Sequence, residues 1–175
     1  MLLEYISMTS QEMLRMVQEI YTEGNRENAQ WRNPGIEDLT EAIHQEEGFF
    51  VEFLEKFMAD DRNRYYILEV DGQWVSALRL TKLDDFYYLE ALETAEAHRQ
   101  KGYASKLIVE VISALRQHGP VTIRSSVDKE NAQSLATHKK CGFVIDQENG
   151  INYLNGDRYE NGYGMLYTEE SEMKK

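Results

Sequence analysis

The sequence predicts a mixed, mostly antiparallel β-sheet with helices on both faces, an α/β (α+β) domain of three layers. Three observations predict it. Two apolar runs, Tyr65 to Val70 and Trp74 to Leu80, flank Asp71-Gly72, and Asp-Gly between such runs is the strongest short-range hairpin signal. A third run, Phe86 to Thr94, follows a turn at Asp84-Asp85, so the first three strands meander antiparallel. Then Ala104, Leu107, Ile108, Val111, Ile112 and Leu115 form the apolar stripe of a helix to Gln117. That helix is long enough to lay the next strand parallel to the one before it.

The elements follow in order. Thr9-Ser10-Gln11-Glu12 has capping-box spacing and opens a first helix that runs through about Tyr21. Glu23 to Pro34 is polar and broken and reads as a loop or a frayed helix end. Beyond Glu37 come Leu39 and Ile43, then Phe50, Phe53, Leu54, Phe57 and Met58 at helical spacing, with a break expected near Gly48. After the three strands and the long helix, Gly119-Pro120 is a stop signal. Val121 to Val127 reads as a strand, and Asn131 to Lys140 as a short helix ended by Cys141-Gly142. Phe143 to Ile145 and Tyr163 to Tyr167 are expected as closing strands across a Gly- and Asn-rich hairpin loop.

At 175 residues, with 2 Pro, 11 Gly and no internal repeat, the chain is expected to form one domain over residues 1–175. Glu4, Arg15 and Glu19 interrupt the apolar residues of the first twenty, which argues against a signal peptide or a membrane span. One Cys allows no intrachain disulfide and fits a reducing, cytoplasmic setting. Four scattered His and that Cys show no metal-ligand spacing, so no metal is expected. The net charge of −12, from 31 acidic and 19 basic residues, opposes nucleic acid and anionic lipid and favours a cationic partner such as an amine.

One basic cluster stands out in this acidic chain. Arg99-Gln100-Lys101-Gly102-Tyr103-Ala104 joins the third strand to the long helix. A helix start with closely spaced small residues presents free backbone N–H groups at the positive end of the helix dipole, which suits phosphate. The segment therefore reads as the pyrophosphate site of a nucleotide-like cofactor. A dinucleotide-binding fold is not implied, because the strand before the segment is fed antiparallel and Arg99 stands where the fingerprint's first Gly would be.

These residues resemble the GNAT superfamily of acyl-CoA N-acyltransferases. Residues 99–104 resemble that family's cofactor motif, Gln or Arg, two residues, Gly, one residue, then Gly or Ala, and Leu89-Glu90-Ala91-Leu92-Glu93-Thr94 resembles its partner strand. Val127-Asp128-Lys129-Glu130-Asn131 and Lys140-Cys141-Gly142-Phe143 resemble its second stretch, where Asn begins a helix that ends in Gly-Phe. The resemblance covers roughly Tyr65 to Tyr167, with the motifs within residues 86–143. It implies a GNAT-like fold and an N-acetyltransferase that uses acetyl-CoA as acyl donor. The acceptor would be a primary amine, in a small molecule or a protein, attacking directly in a ternary complex. The resemblance further implies that Arg99, Gln100, Lys101, Gly102, Tyr103, Ala104 and Ser105 form the pyrophosphate site, chiefly through backbone N–H groups. Leu92, Glu93 and Thr94 would bind the pantetheine arm like an added strand, a backbone N–H near Leu92 or Glu93 would face the thioester carbonyl, and Asn131 would hold the arm from the other side. Homodimers are common among relatives.

The chemistry requires a neutral amine, although a free alkyl ammonium has a pKa near 10.4, so a general base or proton wire is needed. Glu90 and Glu93 are the candidates; regular alternation puts Tyr88, Glu90 and Leu92 on one strand face and Leu89, Ala91 and Glu93 on the other. Counting back from Gly142-Phe143, His138 occupies the position where many relatives carry the Tyr that assists the departing thiolate. His138 can serve as that acid or be a half-exposed helix residue. Cys141 reads as packing. The stretches expected to wall the acceptor pocket, Glu37 to Met58 and Ile151 to Tyr167, match no particular substrate class. The alternative is a non-catalytic acyl-CoA-binding sensor or interaction domain of the same fold.

Overall fold

The computed structural model describes residues 1–172; the last three residues of the expected domain span lie outside the described residues. Strand β1 (Leu2–Tyr5) leads into helices α1 (Ser10–Ile20), α2 (Thr22–Arg32) and α3 (Thr40–Met58). The meander β2 (Asn63–Val70), β3 (Gln73–Lys82) and β4 (Tyr87–Thr94) follows, then a short 3₁₀ turn (Glu96–His98) and α4 (Tyr103–Arg116). Next come β5 (Ile123–Asp128), α5 (Ala132–Lys140), β6 (Val144–Gln147), β7 (Gly150–Ile151), β8 (Arg158–Tyr159), β9 (Gly162–Tyr167) and α6 (Glu169–Glu172).

Seven strands form one sheet in the order β1-β2-β3-β4-β5-β9-β6, and β7 and β8 form a separate small hairpin. The β4–β5 pair is parallel and all others are antiparallel. The expected mixed sheet with helices on both faces is thus the observed architecture. The β2–β3 turn is built as Asp-Gly demands, with both Asp71 (φ 51°) and Gly72 (φ 80°) left-handed. The capping box of α1 is complete: the Thr9 hydroxyl accepts from Glu12 N–H (3.2 Å), and the Glu12 carboxylate accepts from Thr9 N–H (2.8 Å).

On one face α1 and α3 bury Met13, Met16, Val17, Ile20, Leu54 and Phe57 against Tyr65, Ile67, Trp74 and Ala77. On the other, α4 buries Leu107, Ile108, Val111, Ile112 and Leu115 against Leu78, Leu80, Leu89, Ile123 and Met165. Residues 77 and 78 thus serve opposite cores, as strand pleating requires. A buried leucine such as Leu107 contributes about 2–5 kcal/mol relative to alanine.

Four expectations are corrected. The polar stretch after Tyr21 is helical: α2 buries only Asn25 and Ala29, an i, i+4 pair too narrow to show as an apolar stripe. Helix α3 passes through Gly48 unbroken, packing having outweighed a cost of about 1 kcal/mol for an internal glycine. The late loop, expected as a plain Gly- and Asn-rich hairpin connection, is interrupted by β7–β8. Finally, the regular alternation expected along β4 fails at Ala91, whose φ is 48°. Arg79 pairs with Glu90 but Ala77 pairs with Glu93, so Ala91 and Leu92 together oppose Leu78 in a β-bulge. Glu90 and Glu93 consequently share the α1–α3 face, while Leu92 joins Leu89 in the α4 core.

Candidate active site

Parallel pairing of β4 and β5 extends only from Tyr87↔Ile123 to Leu89↔Ser125. Beyond it the strands part, and a cleft of about 730 Å³ opens between them. One wall is Leu92, Glu93 and Thr94, the other Asn131, Ser134 and Thr137, and its floor is the start of α4 from Gly102 to Ser105. The bulge decides which backbone groups face this cleft. Tyr87 N–H donates toward β5, to Thr122 O (2.9 Å), whereas Ala95 N–H donates toward β3, to Val75 O (3.0 Å). Eight residues apart on a regular strand, the two would point the same way. The flip at Ala91 therefore turns Leu92 N–H to the cleft side.

The segment after β4 turns sharply. Gln100 (φ 61°) and Gly102 (φ 79°) are both left-handed, and Gly102 caps α4. Lys106 N–H closes the first helical bond, to Gly102 O (3.0 Å), which leaves the N–H groups of Gly102, Tyr103, Ala104 and Ser105 at the open helix end. A Cβ on Gly102 would meet no neighbour within 4 Å, so its requirement is conformational rather than steric. With the dipole behind it and main chain approaching from Gln100, this end fits a pyrophosphate, and the strand gap fits an extended amide-bearing arm.

Arg99 is placed otherwise than as a bare phosphate ligand. Its Nε donates to Thr94 O (3.1 Å), and its Nη2 lies 3.0 Å from Glu93 Oε1 and pairs with Glu23 Oε2 on α2. Glu93 Oε1 also accepts from Thr94 N–H (3.0 Å). The Arg99 bond holds the Glu23 carboxyl below its ordinary range. The sequence carries no local signal for Glu23, because its partner Arg99 is far along the chain and its own stretch is polar. Lys101 Nζ donates to Ala97 O (3.0 Å), and Tyr103 packs against the His98 ring. Asn131 caps α5, its side-chain oxygen accepting from Ser134 N–H (2.9 Å), while its amide nitrogen donates no hydrogen bond among the described residues and the residue lines the cleft wall.

On the α1–α3 face of the bulge, Glu90 pairs with Arg79 (3.4 Å), their side chains only 13% and 20% exposed. Glu90 Oε2 and Arg79 Nε are buried without a hydrogen-bond partner among the described residues. Arg79 lies against the rings of Phe53 (4.8 Å) and Phe57 (5.4 Å), two cation–π contacts supplied by the aromatic stripe of α3. Beside it Tyr21 donates to Ala91 O (2.9 Å), and its hydroxyl lies 3.1 Å from that of Tyr65.

His138 is buried, 2% exposed, on the α5 side. Its Nδ1 lies 2.8 Å from Ser134 O and so carries the proton; its Nε2 lies 3.3 Å from Ser125 Oγ, at the last β4–β5 pair. Burial lowers its pKa, so the ring is neutral near pH 7 and accepts from the Ser125 hydroxyl. Phe143 packs edge-on at 5.1 Å. Cys141 is buried, with Sγ 3.6 Å from Ser105 O, joining the end of α5 to the start of α4. Glu90 and the cleft wall at Leu92–Thr94 thus meet at the bulge, while His138 stands behind the cleft lining, separated from Glu90 by the sheet.

Solved structures share this architecture at low identity. The PaiA N-acetyltransferase of Thermoplasma acidophilum, in complex with coenzyme A, aligns over 96% of this chain and 99% of its own, at 11% identity and TM-score 0.65. The spermidine N-acetyltransferase of Vibrio cholerae, with CoA and spermine, aligns over 98% of both chains at 16% identity and TM-score 0.62. The ribosomal-protein-S18-alanine N-acetyltransferase of Escherichia coli aligns over 96% of this chain and 94% of its own, at 14% identity and TM-score 0.60. No curated protein matches the sequence. The model of the acetyltransferase (GNAT) family matches residues 17–143, from the middle of α1 to the end of the second motif, and the chain belongs to that family, whose cosubstrate is acetyl-CoA.

Proposed function

We propose that this chain transfers an acetyl group from acetyl-CoA to a primary amine by direct attack in a ternary complex. The observation that carries the reading is the junction of three features at one cleft: the parted β4–β5 pair, the Ala91 bulge, and the open N-terminus of α4. Bound there, acetyl-CoA supplies an activated acetyl group on a thioester. Backbone N–H groups of residues 100–105 hold its pyrophosphate, Leu92 to Thr94 and the Asn131 amide hold its arm, and Leu92 N–H donates to the thioester oxygen as charge develops.

The amine approaches from the α1–α3 face, where Glu90 Oε2 is buried with no hydrogen-bond partner among the described residues. Glu90 is the base in this reading and takes the ammonium proton directly or through water. Glu93 faces the same side but is committed to Arg99 and Thr94, so it positions the strand. His138 donates to the departing thiolate only in its protonated form, because its neutral form keeps the proton on Nδ1. The net charge of −12 favours a cationic or polyamine-like acceptor. Among the structural neighbours, one is a spermidine N-acetyltransferase and one acts on an alanine amine, which supports an amine acceptor of this general kind.

Calorimetric titration of the protein with acetyl-CoA tests the cofactor half, with Gly102→Glu as control. Micromolar binding lost in the variant is expected; equal binding would remove the cleft from the assignment. Thiol release with spermidine, aminoglycosides and lysine-containing peptides then tests transfer. The Arg79–Glu90 pair and the neutral His138 favour the second reading, a non-catalytic acyl-CoA-binding domain, and turnover with any amine excludes it.

A further inference from the structure

Ala91 is a non-glycine residue held at φ 48° in the middle of a strand. An alanine does not adopt that conformation unaided, since its Cβ crowds the following carbonyl. Its carbonyl oxygen, displaced from the ladder by the bulge, accepts a hydrogen bond from the Tyr21 hydroxyl at 2.9 Å. That hydroxyl is directed from two sides. Tyr21 has one proton, and it is spent on Ala91 O, so the Tyr65 hydroxyl at 3.1 Å donates to Tyr21 rather than the reverse. The Phe50 ring stands edge-on to the Tyr21 ring with centroids 4.8 Å apart and fixes its rotation. The backbone is fixed as well: Tyr21 ends α1, its N–H bonded to Val17 O (3.2 Å), and α1 is anchored by Met16, Val17 and Ile20. Burial pushes the Tyr21 phenol well above its ordinary range, so it stays a donor across the working pH range.

We propose that Tyr21 is a positioning residue of the acetyl-transfer site: its hydroxyl holds Ala91 O and so keeps the bulge turned to aim Leu92 N–H into the β4–β5 cleft. This rests on the acetyl-CoA reading given above. Without the strap, Ala91 relaxes toward ordinary extended backbone, the register slips by one residue, and Leu92 N–H turns back toward β3. A donor turned away from the thioester oxygen no longer polarises it; a misplacement of about 1 Å at such a site can cost about 100-fold in rate.

The test reads the thioester carbonyl directly and needs no acceptor. Isotope-labelled acetyl-CoA is bound to the whole protein, and its carbonyl stretch is followed by difference infrared spectroscopy. Wild type is expected to lower the stretch relative to free acetyl-CoA. Tyr21→Phe, which keeps the ring and its packing, should lose most of that lowering while still binding acetyl-CoA. Adding Ala91→Gly should restore it, because glycine holds a positive φ without a strap. A packing role for Tyr21 predicts no such rescue. An undiminished shift in Tyr21→Phe, or a loss that Ala91→Gly does not repair, overturns the strap. Binding by wild type with no carbonyl shift also overturns it, yet leaves the cofactor assignment intact; no binding at all overturns the acetyl-CoA reading itself. Should Tyr21→Phe lose its melting transition, Ala91→Val tests the link from the bulge side. A β-branched residue resists φ 48° more strongly and should reduce the shift, and full retention there is equally fatal.

Discussion

Arg99, in the loop ahead of α4, is ion-paired to Glu23 at the start of α2, and the same guanidinium is bound to Glu93 and Thr94 O. Its Nε and Nη2 donors are thus directed at protein, and the negative charge of Glu23 stands in the lining of the cleft meant for an anion. Glu23→Gln should therefore tighten acetyl-CoA binding about two- to fivefold at low salt, an effect that fades as salt screens it. The side chains are 33% and 29% exposed, so the lost pair should cost about 1 kcal/mol or less in denaturant unfolding. The Glu23 carboxyl is held below its ordinary value by Arg99, so its stabilisation is present above the unfolded pKa near 4.5 and lost as pH falls below it. Calorimetry at two salt concentrations checks the sign; weaker binding in the variant would mean that Arg99 reaches phosphate only when Glu23 holds it.

Gly102 separates conformation from charge. Its φ is 79° with open space where a Cβ would stand, so Gly102→Ala should lower stability by about 1 kcal/mol and keep measurable acetyl-CoA affinity. Gly102→Glu adds to that strain a carboxylate at the open helix end and should abolish binding. Paired melting and titration of both variants check this; equal loss in both would make the backbone turn, not the charge, decisive.

The sequence showed most of what positions the cleft and little of what fills its acceptor side. The Asp-Gly turn, the Gly102 helix start and the Asn131-to-Gly142 helix are local signals, since each rests on a turn or cap that a few neighbouring residues specify. The bulge has no sequence signal because its residue is Ala91, whose side chain carries no mark of a positive φ, and regular alternation therefore puts Glu93 on the opposite face from the one it occupies. Helix α2 was hidden because it is tied down by ion pairs, Glu23 to Arg99, Arg26 to Glu96 and Arg32 to Glu46, rather than by an apolar stripe. His138 was visible as a position in a motif, but its burial is set by Ser125 and Phe143 from other elements.

Glu90→Gln asks whether this carboxylate is a base or only the counter-ion of Arg79. As the base, its loss should lower kcat/KM for an accepted amine about 10²- to 10⁴-fold without changing acetyl-CoA affinity. The amide still faces the buried Arg79, and the weaker charge pairing should cost about 1–3 kcal/mol in stability. Stability lost with activity kept would assign Glu90 to the ion pair alone.

His138→Phe gives predictions of opposite kind for catalysis and for folding. The folded-state pKa lies below the ordinary 6.5 because burial disfavours the imidazolium. A His with a depressed pKa stabilises the fold above its unfolded pKa, and that contribution is lost as pH falls through the folded value. Wild type should thus lose stability on acidification from about pH 6.5 downward, and the Phe variant should lose less over the same window. In catalysis the only form able to donate from Nε2 is the imidazolium, scarce at neutral pH, so any contribution to kcat must grow as pH falls. The ratio of wild-type to variant kcat, measured from pH 8 down to the onset of unfolding, should rise toward acid if His138 protonates the thiolate. A ratio near one at every pH, beside the stability difference, would confine His138 to bridging Ser134 and Ser125, and the thiolate would then take its proton from water.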